Sequence, residues 1–245
     1  MSKLIAIIAG AGPGTGAAIA RRFAAAYPVV LLARSLTTLD PLVRDIQNNG
    51  GRALAIPTDV TEASSLSSAM SHITSEFGAD LGIEAAIFNV ASKFMRKPFL
   101  EQSPEEFLSS LSLSVSGAFN FAQAVLPFMV KEPHDANQYP PTLIFTGATA
   151  ALKGGSGLSA FAMSKFGIRA LSQSLAREFG PKGVHVSHTI IDGIIDTEKT
   201  KAFKSEVPDA KIDPKAIAES YWFLHTQPRN SFTHEMDLRP SVETW

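Results

Sequence analysis

Two clusters of residues in this chain have the types and spacing to do chemistry. The first is Gly10-Ala11-Gly12-Pro13-Gly14-Thr15-Gly16, which follows the apolar run Leu4–Ala9 and leads into the helical spacing of Ala17–Phe23. Glycines permit a tight turn and close backbone approach, so amide N–H groups at a helix N-terminus can face a pyrophosphate. With a strand before it and a helix after it, the run reads as a dinucleotide cradle rather than a plain loop. The second cluster ends the next apolar run, Val29–Ala33, at Arg34-Ser35. An NAD-binding unit carries Asp or Glu there to accept hydrogen bonds from ribose hydroxyls. Ala33 brings no carboxylate to repel a 2′-phosphate, and Arg34 and Ser35 offer a cation and a hydroxyl to bind one. NADP(H) is therefore expected ahead of NAD(H).

Other chemistries lack their residues. The chain has no cysteine, which removes thiolate zinc, iron–sulfur clusters, disulfides and a cysteine nucleophile. His185 and His188 lie three apart on an expected strand and so face opposite sides, and no metal site is expected. Gly155-Ser156-Gly157 is followed by Leu158, so the Gly-x-Ser-x-Gly elbow of hydrolases is missing. With 22 Lys+Arg against 23 Asp+Glu and no basic run, neither a nucleic acid nor an anionic membrane is an expected partner. A small molecule is. Met1-Ser2-Lys3 and the short apolar run after it are too brief for a secretory signal or a spanning helix, and a cytoplasmic protein is expected.

The elements that must position these residues alternate regularly. Short apolar runs at Leu4–Ala9, Val29–Ala33, Ala53–Pro57, Ile83–Phe88, Thr142–Thr146, Val184–Thr189 and Glu235–Leu238 read as strands, mostly buried on both faces. Helical spacing occupies Gly14–Ala26, Leu39–Asn48, Ala63–Phe77, Pro104–Val130, Ser159–Phe179 and Pro214–His225. This predicts an α/β fold: one doubly wound, Rossmann-type domain with a mostly parallel seven-stranded sheet, helices on both faces and ligands at the carboxyl ends of the strands. Two stretches break the pattern. Lys131–Pro141 reads as a surface excursion, and residues 194–213 suit a substrate lid or, equally, a solvated connector.

The order of motifs resembles the short-chain dehydrogenase/reductase family over nearly the whole chain. Gly10, Gly14 and Gly16 match its glycine turn, and Asp59-Val60-Thr61 matches a segment whose aspartate touches adenine in that family. Asn89-Val90-Ala91 stands where the family has Asn-Asn-Ala-Gly, and Ser114-Val115-Ser116-Gly117-Ala118-Phe119 where it has Asn-x-x-Gly-x-Phe. The segment Ile191-Asp192-Gly193-Ile194-Ile195-Asp196-Thr197 resembles the Pro-Gly-x-x-x-Thr stretch that lines the nicotinamide, with Asp192 for proline. Gly12, Thr15, Gly193, Ile195 and Thr197 join the expected cofactor-binding residues on this basis.

The resemblance fails at the catalytic set. The family carries Tyr-x-x-x-Lys, with a serine thirteen residues before the tyrosine. Here the sequence is Phe161-Ala162-Met163-Ser164-Lys165, and thirteen back from Phe161 is Ala148. Of the family's Asn, Ser, Tyr and Lys, the resemblance leaves Ser114, Ala148, Phe161 and Lys165, as in a divergent subgroup with Phe for Tyr. Phe161 has no proton to exchange and Ala148 no hydrogen bond to give, a loss typically worth about 10²–10⁴ in rate. Lys165 keeps the task of binding the nicotinamide ribose. Thr146, Thr149, Ser159, Ser114 and Asp192 are candidates for the missing proton chemistry, and each has a plainer reading, such as Ser159 as a helix N-cap or Asp192 as a turn residue.

The leading expectation is an NADPH-dependent reductase-like enzyme for substrates that need little acid from the protein, such as an iminium or an electron-poor alkene. An isomerase or cyclase on the same fold, or an inactive NADP(H)-binding protein, stands beside it. Phe119, Phe121, Phe128, Phe166 and Leu171 exceed what one buried stripe needs, and the resemblance implies a homodimer or homotetramer through the two long helices.

Overall fold

In the computed structural model, which describes residues 4–92, 94–130 and 139–243, the first apolar run forms β1 (Leu4–Ala9) and the glycines turn it into α1 (Thr15–Ala24). There follow β2 (Val29–Ala33), α2 (Leu36–Asn48), β3 (Ala53–Pro57), α3 (Ala63–Phe77) and β4 (Gly82–Phe88). The second half supplies α4 (Pro104–Leu111), α5 (Gly117–Met129), β5 (Thr142–Thr146), α6 (Ser159–Phe179), β6 (His185–Ile191), β7 (Ile194–Ile195), β8 (Lys211–Ile212), α7 (Pro214–His225) and β9 (Glu235–Leu238). Seven strands make one sheet in the order β3-β2-β1-β4-β5-β6-β9, with every neighbouring pair parallel. Successive strands step outward in opposite directions from β1 and β4, so the crevice between them is the topological switch point where such folds bind ligands.

Period-two alternation assigns the two cores. Ile5, Ile7, Val30, Leu32, Phe88 and Phe145 face α3, α5 and α6, where Ile73, Val125 and Ile168 meet them. The intervening residues Ala6, Ile8, Leu31, Ile87 and Ile144 face α1, α2 and α7 through Phe23, Leu39, Ile217 and Leu224. Buried on both faces, the central strands read as unbroken apolar runs for this reason.

Three expectations change in detail. The helix expected over Pro104–Val130 is continuous but not uniform: between α4 and α5, Ser112–Ser116 form a π turn, which directs Ser114 into the interior. Such wide turns occur often at functional sites. The stretch Pro104–Met129 is long and apolar enough to cross a membrane by composition, yet Phe121, Val125 and Met129 are spent on the sheet. Phe121 is thus a core residue, fully buried against the Phe88 ring at 5.7 Å, and leaves the list of expected interface residues, whereas Phe119 and Phe166 are exposed. Finally, residues 194–213 fold into the parallel pair β7–β8 around a single helical turn at Glu198–Thr200. Of the Lys131–Pro141 excursion, residues 131–138 lie outside the described residues.

Candidate functional site: a glycine cradle and a buried lysine

The glycine turn is built for close approach. Gly10 has φ +82°, and a Cβ there would lie 2.7 Å from the Asn89 carbonyl oxygen; a Cβ on Gly16 would lie 2.2 Å from the Gly10 oxygen. Gly14, at φ +100°, turns the chain into α1, and a side chain on it would meet the Thr197 methyl at 2.8 Å. Thr197 thereby reaches from the segment after β6 to the start of α1, where Thr15 and Gly16 occupy the first turn and its amides have no acceptor within the helix. Gly12 is roomier, with Thr38 3.9 Å from a built Cβ.

Beside this turn is a cavity of about 130 Å³ lined by Gly10, Ala33, Arg34, Asp59, Val60, Ala91 and Leu113, among others. Residues spread over four strand ends in the sequence meet here. Asp59 accepts from the Thr61 amide at 2.9 Å and the Thr61 hydroxyl at 2.7 Å; these bonds, with Arg34 adding to them, hold its carboxyl below the usual range. Arg34 and Ser35 are exposed at the start of α2, and Ser35 Oγ lies 2.6 Å from Thr37 Oγ1. Asn120 on α5 donates to the Val60 and Thr61 carbonyls at 3.1 and 3.2 Å and ties that helix to the loop.

A hydrogen-bonded chain crosses the switch point. Asn89 Nδ2 donates to the Gly10 carbonyl at 3.2 Å, Thr146 Oγ1 donates to Asn89 Oδ1 at 3.1 Å, and the Tyr221 hydroxyl lies 2.8 Å from Thr146 Oγ1. Thr146 is therefore committed to structure. Lys165, only 2% exposed, donates to the Thr146 carbonyl at 3.1 Å, and burial pushes its pKa down to about 8. The same ammonium lies 5.9 Å from the Phe161 ring centre, and Phe161 packs edge-on against Phe94. Ala148 is extended and half-buried just after β5, at the start of the turn Thr149–Ala151. The Ser114 hydroxyl is buried without a hydrogen-bond partner among the described residues.

Asp192 is neither a free carboxylate nor a simple turn residue. One of its oxygens accepts from the Thr149 hydroxyl and the other lies 3.2 Å from Arg239, which also pairs with Asp237. Its amide donates to the Leu238 carbonyl at 2.8 Å. Gly193 follows at φ +156°, where a Cβ would strike the Pro240 ring at 2.7 Å, and Ile195 accepts from Thr200. The N-cap reading of Ser159 fails: Leu158 precedes the helix, and the Ser159 hydroxyl donates to Gln102 at 2.6 Å. Gln102 helps line a second cavity, of about 170 Å³, that abuts Phe161 and includes Ser92, Glu106 and Ser110.

Sequence reasoning did not single out the ion pairs of Arg239 or the group behind Lys165. There, Arg169 makes two bonds to Glu235 (2.7 and 2.8 Å), and Glu235 accepts from His188 Nδ1 at 3.1 Å. Burial drives the His188 pKa down to about 4 against the pull of Glu235. Arg169 falls one helical turn beyond Lys165, the only sequence signal that would have marked this group.

The short chain dehydrogenase family model matches residues 4–208. The chain is 27% identical over 241 residues to an uncharacterized oxidoreductase of Staphylococcus aureus strain N315, covering 98% of each. It superimposes on a short-chain dehydrogenase from Rhodopseudomonas palustris with a TM-score of 0.80 at 33% identity, covering 98% of this chain and 100% of that one. A metagenomic short-chain oxidoreductase solved in complex with NADP shares the fold at 23% identity and a TM-score of 0.79, covering 99% of both. Glycine turn, parallel seven-stranded sheet and buried lysine thus stand in a chain that belongs to the short-chain dehydrogenase family of oxidoreductases.

Proposed function

We propose that the chain is an NADPH-dependent reductase whose proton delivery departs from the family's, with Phe161 in the tyrosine place, Ala148 in the serine place and Ser114 in the asparagine place. The observation that carries the cofactor reading is the cavity at the ends of β1, β2, β3 and β4. It joins a turn in which a Cβ on Gly10, Gly14 or Gly16 would strike its neighbours to a strand end bearing Arg34 and no acid. The α1 amides near Gly14, Thr15 and Gly16 would hold the pyrophosphate, Asp59 and Val60 the adenine, and Arg34 with Ser35 the 2′-phosphate. Asn89 and Ala91 would border the nicotinamide ribose with Lys165, and Gly193, Ile195 and Thr197 the nicotinamide side.

A bound nicotinamide supplies a hydride. The protein's own contribution is to orient that ring and to choose which substrates need nothing more. Lys165 brings a buried positive charge near the ribose, fixed by the Thr146 carbonyl. Phe161 and Phe94 make an apolar wall where the family places a phenol, and Ala148 adds a methyl where it places a hydroxyl. A wall of this kind excludes water and positions a substrate but moves no proton, so simple ketones are poor substrates. Residues 194–213 would serve as the lid over the site, with Thr197 as its hinge contact to the glycine turn.

The test is a fluorescence titration with NADPH and NADH, on the parent and on Arg34→Ala. NADPH should bind more tightly to the parent, and the variant should lose about 1.5–3 kcal/mol for NADPH with NADH barely changed. Equal curves for the two nucleotides in the parent would overturn the NADPH assignment.

A further inference from the structure

We infer that the substrate of this site is a cation, specifically an iminium, rather than a neutral ketone or enone. The inference rests on the reductase reading above. Its ground is the polarity of the hydrogen-bonding groups around the altered positions. Where a neutral carbonyl would need donors, Phe161 and Ala148 offer carbon. The next hydroxyl along the chain from Ala148, that of Thr149, spends its proton on Asp192, so it presents only lone pairs to anything beside it. Asp192 is itself held by Arg239, and Arg239 is shared with Asp237, which leaves this cluster with two carboxylates against one guanidinium.

The aromatic wall points the same way. Phe161 and Phe94 meet edge to face at 5.3 Å; the Phe161 ring already has the Lys165 ammonium 5.9 Å from its centre, whereas Phe94, 62% exposed, leaves ring surface open to a cation beside the altered positions. The opposing charge is Lys165, but its ammonium is buried and turned to the Thr146 carbonyl. An acceptor hydroxyl, a net negative cluster and an exposed aromatic ring suit a positively charged ligand. They give a developing alkoxide nothing to hold.

The chemistry balances without a protein acid. An N-alkylated iminium takes a hydride at carbon while its C=N π pair becomes the nitrogen lone pair. The reduced nicotinamide loses the same two electrons, and no proton is transferred. A ketone or an enone would need a proton at oxygen or carbon, which Phe161 and Ala148 do not supply.

Binding tests this apart from turnover. With NADP⁺ present, calorimetry would compare the unreactive cation N,N-dimethyl-1,2,3,4-tetrahydroisoquinolinium with the neutral isostere 1-tetralone. The cation should bind at least tenfold more tightly, and Asp192→Asn should cut that preference below threefold. If Asp192→Asn does not fold, Thr149→Val, which keeps Asp192 on Arg239, should reduce the same preference. In the turnover arm, NADPH should be consumed with N-methyl-3,4-dihydroisoquinolinium at least tenfold faster than with 1-tetralone or 2-cyclohexenone. Equal binding of cation and ketone, a preference unchanged in the folded variants, or faster turnover of the neutral substrates would overturn the inference and leave the reductase reading standing. Failure of the parent to bind NADPH would overturn both.

Discussion

Replacing Lys165 by Met should make the ligand-free protein more stable and at the same time abolish its nucleotide binding. The lysine stem is packed and only 2% of the residue is exposed, so Met preserves most of the apolar contact. Burial lowers the Lys165 pKa from 10.5 to about 8, which amounts to about 3 kcal/mol against the charged form at neutral pH. Loss of the bond to the Thr146 carbonyl gives back about 1 kcal/mol, so a net gain of about 2 kcal/mol is expected at pH 7.

The sign with pH is distinctive. Between about pH 8 and 10.5 the unfolded chain holds a proton on this lysine that the folded chain has released, so the lysine's penalty disappears as pH rises through that window. Parent stability relative to Lys165→Met should therefore climb by about 3 kcal/mol from pH 7 to pH 10.5. Tyr27 and Tyr221, whose burial raises their pKa values, act equally in both proteins and cancel in the difference. The assay is urea unfolding of both proteins at half-unit pH steps, together with an NADPH titration. Parallel stability curves across pH 8–10.5 would refute the desolvated lysine, and unaltered NADPH affinity in Lys165→Met would refute its place in the cofactor site.

Three further outcomes follow from other parts of the molecule. Phe161→Tyr with Ala148→Ser should produce NADPH-dependent reduction of activated ketones because Lys165 is already placed to lower the new phenol's pKa; efficient ketone reduction by the parent would show that another group already delivers the proton. On the acid side, burial holds His188 near 4 and His225 near 3, while an unfolded histidine takes its proton near 6.5, so stability should fall as pH drops from 6.5, by about 2–3 kcal/mol per residue at pH 4.5. Because burial raises the Glu84 carboxyl to about 7 and so adds stability over the same fall in pH, the check is a difference: urea unfolding at pH 7 and 4.5 should show the parent losing about 2–3 kcal/mol relative to His225→Leu. Lastly, exposed Phe119 lines a groove with Leu126, Leu171 and Phe179, the face expected to pair two copies; sedimentation should give a multiple of 26.2 kDa, and Phe119→Asp should return it toward one copy.

Most of the fold was legible because its signals are local. Unbroken Val/Ile/Leu runs identify strands buried on both faces, the 3.6-residue spacing identifies helices, and the glycines of the first turn are required by a backbone conformation and a close approach that other residues cannot adopt. Ala33-Arg34 could be marked as an expected cofactor contact because strand carboxyl ends converge in any doubly wound sheet, and Asp59 through its resemblance to the family's adenine-contacting segment.

Long-range partners were not legible. Nothing adjacent to Asp192 in the chain reports that Arg239, forty-seven residues on, pairs with it, or that the Thr149 hydroxyl donates a hydrogen bond to it. Phe121 and Phe119 have the same hydropathy, and only the rotation of α5 about its axis decides that one enters the core and the other faces solvent. The π turn at Ser112–Ser116 has no local signal either, and the helix it leads into is tied to the Asp59 loop through Asn120, a contact across sixty residues. Residue type and spacing therefore determined which backbone this chain adopts and where a nucleotide could lie. Tertiary packing decided which polar groups at that place give hydrogen bonds and which only accept them, because that depends on partners brought together from different strands.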